Sequence, residues 1–318
     1  MAYSLNSLKG GNWKNKDYRE ISMQENWRGR LNDLVLPLAF RRKLEQIKET
    51  CYGGDLINLH LHKTDWSNQG IEMCTLLSLW LLDDPHERDA ITAKNAFENG
   101  DINYKALIEI YCGRKSSHVL LIKQAYQTMF KQHLEQDIIN AEPSSPYQRI
   151  LIALVTSHKS HHTDVSQHIA KCDARRLYGT GEGRPGAIEE SVVLEIFSKR
   201  SISQLKLTFS TYKQIYGHDY AKSLKKEING EFGNALRIIV KCLNTPLNYY
   251  AKILYASIKG SIADKSAVVR VIMCRAAGIE IGDIRRIFKT KYGMELKDAI
   301  CQGISNADCR EFLVAIAS

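Results

Sequence analysis

The 318-residue chain is poor in proline, with six in all, and alternating strand-like patterns are scarce along it. Proline breaks helix interiors. Its rarity therefore leaves room for long runs of 3.6-residue period, and such runs fill most of the sequence. An all-α array is the expected fold class. No apolar run approaches the roughly 20 residues needed to cross a bilayer. The opening stretch MAYSLNSLKGGNWKNK has no apolar h-region, so nothing there directs secretion. The eight cysteines are scattered without a CxxC pair, a pattern of reduced thiols in the cytosol. GxxxxGK[ST] is absent, which excludes a P-loop nucleotide site. No Ser-His-Asp or paired-carboxylate constellation emerges either. His158, His161, His162 and His168 crowd one polar stretch. A zinc site needs three or four ligands and a supporting second shell, and the stretch reads instead as a solvated linker.

What is present is a soluble globular composition, 44% apolar and 25% charged, with a net charge of +9. That balance favours polyanionic partners, either anionic lipid headgroups or nucleic acid. Lys and Arg are spread along the whole chain, however, and no specific nucleic acid is expected.

The organising feature is repetition. From Arg200, the residues at +12, +16, +20 and +24 are Tyr212, Tyr216, Tyr220 and Leu224. The same offsets from Arg114 give Tyr126, Phe130, Leu134 and Ile138. From Arg275 the series is Phe288, Tyr292, Leu296 and Ile300, each one residue later. Steps of four place such residues on one helical face, here interrupted by a turn. The turns agree as well: Tyr216-Gly217-His218-Asp219-Tyr220, Tyr292-Gly293-Met294-Glu295-Leu296 and, near the start, Tyr52-Gly53-Gly54-Asp55-Leu56. Four helical units follow, each of about five short helices. Their expected bounds are 1–84 for a divergent first unit, 85–156 for the second, 157–168 for a linker, 169–245 for the third and 246–318 for the fourth. In the first unit a helix is expected from Arg41 and an apolar closing helix from Gly70 to Leu82.

Aligned in this way, the units resemble the annexin family, its plant branch in particular. The motifs that carry the resemblance are LWLLDDP and DPHERDA around 78–90, ALIEIYCGR at 106–114, CDARRL at 172–177, VKCLNTP at 240–246, YYAKILYASIKG at 249–260 and AVVRVIMCRA at 267–276. It covers residues 41–318 well and residues 1–40 poorly. It implies four repeats in a curved disc and calcium-dependent binding to anionic phospholipid through loops on the convex face. The protein would be cytoplasmic and peripheral to the membrane, and not an enzyme. The same resemblance implies a GxGT loop offering backbone carbonyls to calcium and a carboxylate about 39 residues beyond the Thr, with water and lipid phosphate completing the shell.

The loops depart from that pattern. Unit four reads Gly260-Ser261-Ile262-Ala263-Asp264, and its carboxylate position falls on Gly303 or Ile304, with Asp308 nearest. Unit two has Asn99-Gly100-Asp101-Ile102, with Glu142 one residue out of place. Unit three has Pro185-Gly186-Ala187-Ile188, and Glu227 stands in register, 39 residues after Ile188. Unit one has no recognisable loop. Weakened or calcium-independent lipid binding is therefore expected, with Glu227, Ala187, Pro185 and Gly260 as metal candidates and Lys259 and Arg184 as basic lipid contacts. Cys112 and Cys242 match a proposed redox pair of plant annexins, although their apolar helices suit buried, inert thiols. Asp89, Glu109, Arg114 and Arg275 match a polar set lining the centre of the disc. Arg114, Arg200 and Arg275 are expected to be structural, reaching carbonyls or carboxylates of a neighbouring helix. The rival functions are a helical protein-interaction scaffold and a thiol-dependent peroxidase.

Overall fold

A computed structural model describes residues 38, 40–45, 84–98, 102–141, 145–156, 164–183, 188–227, 230–259, 265–273 and 281–318, excepting the side chains of 225–227 and 265. Most of the first unit lies outside these residues, including its Gly53-Gly54 turn and the expected 70–82 helix. A helical stretch at 40–45 buries Phe40 and Leu44, and Lys43 reaches Asp308 of the last unit at 2.7 Å.

The described part of the chain is helical, with no strand among the described residues. Unit two comprises α1 (Pro85–Glu98), α2 (Tyr104–Cys112), α3 (Ser116–Phe130), α4 (Leu134–Ala141) and α5 (Pro146–Val155). Unit three comprises α6 (Gln167–Gly179), α7 (Glu190–Lys199), α8 (Ile202–Tyr216), α9 (Tyr220–Glu227) and α10 (Glu231–Asn244). Unit four comprises α11 (Pro246–Lys259), α12 (Lys265–Met273), α13 (Ile281–Tyr292), α14 (Leu296–Gly303) and α15 (Ala307–Ala317). In each unit the first helix packs against the third, as α1 on α3, α6 on α8 and α11 on α13. Units two and three meet where α10 lies against α2 and α5.

Short polar side chains start several of these helices by accepting from an otherwise unpaired backbone N–H. Asn103 accepts from Ala106 N at 3.0 Å, Ser145 from Gln148 N at 3.0 Å, Ser201 from Gln204 N at 3.2 Å and Asn306 from Cys309 N at 3.0 Å. Ser145 precedes Pro146, whose missing N–H is harmless at a first helical position.

The four landmark positions of each unit do not share one environment. Tyr126, Leu134 and Ile138 are buried, as are Tyr212, Tyr220 and Leu224, and Phe288, Leu296 and Ile300. The second landmark of each set, Phe130, Tyr216 or Tyr292, sits at the core's edge as the third helix ends. The chain then reverses through a left-handed residue. Gly217 takes φ 78° and Gly293 φ 67°, which glycine adopts without a Cβ clash. Unit two has no glycine there, and Lys131 is forced to φ 57°.

Candidate functional site

Acidic and basic side chains at repeated positions are gathered into buried ion pairs. On α1, Asp89 meets Arg114, which follows the end of α2, and both are buried. Burial pushes the Asp89 carboxyl up to about 6, the neighbouring Arg114 guanidinium opposing that rise. The corresponding pair in unit three is a fork, with Arg200 Nε on Asp173 Oδ2 at 2.6 Å and Nη2 on Oδ1 at 3.1 Å. Between units two and four, Glu109 is held on both oxygens. Arg270 Nε donates to Oε2 at 2.8 Å, and the Tyr249 hydroxyl donates to Oε1 at 2.5 Å. All three groups are buried, and burial keeps the Tyr249 phenol well above its ordinary range. Arg275 lies outside the described residues.

Cys112 on α2 and Cys242 on α10 come together. Cys242 lies beside Cys112, and both thiols are free and buried. Burial, reinforced by Cys112 beside it, pushes the Cys242 thiol up. A thiol held in that form is a poor nucleophile. The juxtaposition suits interhelical packing better than peroxidase chemistry.

At the loop after α6, Gly181 N and Gly183 N both donate to Tyr178 O, at 3.1 and 2.8 Å. Glu189 N closes the loop's base on Thr180 O at 3.0 Å. Glu182 turns toward the α8–α9 turn, where its Oε2 lies 2.7 Å from His218 Nε2 and accepts from the Tyr212 hydroxyl at 3.1 Å. The Tyr178 ring stacks on Tyr216 at 4.0 Å. Arg184, Pro185 and Ala187 lie outside the described residues, as do the Glu227 side chain and Gly260. Calcium takes six to eight oxygens. Among the described residues no group of three or more His, Cys, Asp or Glu could hold a metal ion. The carbonyls of Tyr178 and Thr180 at this loop's base accept backbone hydrogen bonds.

In unit four, Lys259 is exposed at the end of α11, and its Nζ donates to Gln302. Packing also limits the expected acid position in this unit. A Cβ at Gly303 would overlap the backbone of Ile258, so α14 approaches α11 too closely there for a side chain. Asp308, the nearest acid, is engaged by Lys43.

The fold is thus an all-helical array of five-helix repeats with ion pairs at equivalent positions. The chain belongs to the annexin family: the annexin family model matches residues 88–154, 173–239 and 249–316. It is similar to human annexin A13, 32% identical over 239 residues that cover 75% of this chain and 74% of that protein. Human annexin A3 is 36% identical over 224 residues, covering 70% and 68%. Among solved structures, annexin III superposes with TM-score 0.72 at 32% identity, over 85% of this chain and 80% of that one. A chicken annexin V complex with zinc gives 0.69 at 28%, over 85% and 82%. Annexins are calcium-dependent phospholipid-binding proteins, not enzymes.

Sequence reasoning singled out Asp89, Glu109, Arg114 and Arg200 but missed Asp173, Arg270, Tyr249, Glu182 and His218. A signal for Arg270 was there to be read. It stands five residues before Arg275, as Glu109 stands before Arg114 and Glu195 before Arg200, so the charge inverts at one repeat position.

Proposed function

We propose that this annexin docks peripherally on anionic phospholipid with basic side chains supplying most of the attraction and calcium acting as a weakened bridge. The observation that carries this reading is the departure of every loop from the GxGT pattern in a chain of net charge +9. A basic side chain near an anionic surface contributes about 1 kcal/mol and acts within a Debye length of roughly 10 Å at 0.1 M salt. Lys259 and Arg184, beside the unit-four and unit-three loops, are the side chains assigned to this role. Lys259 is exposed and bonded to a neutral amide, so that contact leaves its charge uncompensated. No helix among the described residues is long and apolar enough to cross a membrane, in keeping with surface attachment.

Unit three carries what remains of calcium binding, through carbonyls at Pro185 and Ala187 and the carboxylate of Glu227, the one acid in register. Co-sedimentation with phosphatidylserine vesicles tests the main reading. Binding should persist in chelator at low salt and fade as salt rises. A requirement for calcium at every ionic strength would restore the ordinary calcium bridge. Calorimetry tests the assignment within unit three, since Glu227→Gln keeps the shape and removes the charge. Equal calcium binding by variant and wild type would exclude that unit.

A further inference from the structure

We propose that the stacked tyrosines of units three and four are oxidative cross-linking sites, where a one-electron oxidant joins the unit's first helix covalently to its third. In unit four, Tyr255 of α11 lies face to face with Tyr292, the last residue of α13. The ring centroids are 3.9 Å apart and the planes within 6° of parallel. In unit three, Tyr178 of α6 stacks in the same way on Tyr216, the last residue of α8, at 4.0 Å and 5°. Each third-helix tyrosine directly precedes the left-handed glycine of its turn, Gly217 or Gly293. Aromatic pairs usually hold their centroids about 4.5–7 Å apart, so both stacks are closer than packing alone demands. Parallel planes at that separation put carbons of one ring in van der Waals contact with carbons of the other, the geometry of a pre-oriented reacting pair.

The chemistry needs only an electron acceptor. Loss of one electron and the phenolic proton turns a tyrosine into a phenoxyl radical, with its unpaired spin on the oxygen and the ortho ring carbons. Two such radicals in one stack combine through ortho carbons. A carbon–carbon bond forms, and the two displaced ring hydrogens move to the phenolic oxygens as the rings regain aromaticity. Hydrogen peroxide acting through a haem peroxidase is an oxidant of this class. It takes up the two electrons and two protons, its O–O bond breaks, and two waters leave. Tyr255 keeps 37% of its surface exposed, and the other three rings are partly exposed, so a reagent at the surface can draw electrons from both stacks.

Unit two provides an internal contrast, because it lacks both phenols. Counted from Asp89 and Asp173, Lys94 holds the position of Tyr178. Its ammonium sits over Phe130, the counterpart of Tyr216, 6.0 Å from the ring centroid. A tyrosine stack does occur in unit two, but it is wider, with Tyr104 on Tyr147 at 4.4 Å, and it joins the second helix to the fifth. In units three and four a link would tie together the first and third helices, the pair that packs most extensively within each unit. None of this depends on how the protein binds lipid.

Peptide mapping of the oxidised full-length protein, free of lipid and calcium, tests the proposal. Accessible thiols, Cys172 and Cys301 among them, are first alkylated so that they do not consume the radicals. After treatment with a haem peroxidase and hydrogen peroxide, the monomer is isolated, digested and examined by mass spectrometry. Peptides carrying Tyr255 and Tyr292 should appear joined, two hydrogens lighter than their sum, and likewise those carrying Tyr178 and Tyr216. Tyr255→Phe keeps the ring and removes the phenol, so the unit-four link should vanish while the unit-three link remains. Tyr178→Phe should do the reverse, and in each variant the surviving link shows that the chain is folded and oxidised. In denaturing urea both yields should fall about tenfold or more, because the pre-oriented geometry is gone. Links formed only between molecules, or spread over the fifteen tyrosines without regard to the stacks, would overturn the proposal. Yields unchanged in urea would overturn it too.

Discussion

Units three and four place opposite charges at one repeat position, in opposite surroundings. Glu195 of unit three is half-exposed and shared between Arg176 at 2.6 Å and Lys199 at 3.2 Å. Arg270 of unit four is buried against Glu109 of unit two at 2.8 Å. A charge at the surface is largely compensated by water, so its partner adds little. A charge removed from water depends on its partner, and losing that partner leaves an uncompensated ion inside. The equivalent position is thus an ordinary surface site in one unit and a junction between units in another.

The largest effect is expected from breaking the buried side of this comparison. Arg270→Met should destabilise the fold by about 3–5 kcal/mol, because Glu109 then stays buried without its cation. Glu195→Gln should leave the denaturation midpoint unchanged within error. Urea titrations of both variants check the contrast, and equal losses would mean that burial does not separate the two positions.

Unit two extends the comparison into pH. With its carboxyl at about 6 in the fold against 3.8 for the free group, Asp89 binds a proton more readily in the folded state. Folding is then favoured progressively as pH falls from above 6 toward 4, by an amount on the order of 3 kcal/mol at about 1.4 kcal/mol per unit. Asp89→Asn should remove this component, so wild type gains on the variant between pH 7 and pH 5 in paired denaturation curves. A constant difference between the two would rule it out.

The unit-three fork is less enclosed, since Arg200 keeps 28% of its side chain exposed while Asp173 is buried. Arg200→Ala should therefore lose less than Arg270→Met, about 2 kcal/mol after discounting for solvent. Its melting temperature should fall before vesicle binding changes. Collapse of vesicle binding with intact thermal stability would place Arg200 in the lipid contact instead. The smallest change concerns the turn, where units three and four have glycine and unit two has lysine. Lys131→Gly should stabilise by about 1 kcal/mol through relief of its left-handed backbone, whereas Gly217→Ala should lose a similar amount. No stability gain in Lys131→Gly would show that the left-handed backbone at this turn carries no strain.

Much of this architecture was legible in the residues. Tyr212, Tyr220 and Leu224, with their counterparts, announced buried faces because four-residue steps return to the same side of a helix. Tyr216-Gly217 and Tyr292-Gly293 announced the turns because a left-handed residue after a helix favours glycine. Asp89 and Arg114 were both singled out, but nothing local said that they pair, since they stand 25 positions apart. Arg270 and Glu109 stand 161 residues apart, and only the packing of units two and four brings them together.

By itself, then, the sequence determined what repeats: helix period, turn chemistry, the family and the departures in its loops, all of which are properties of neighbours along the chain. Tertiary structure alone decided which charges are buried, that Cys112 touches Cys242, and that Glu182 reaches His218 across 36 residues. The physical reason is that solvation and pairing depend on distance in space. A glutamate at one repeat position and an arginine at the next look alike on paper until folding removes the water from one of them.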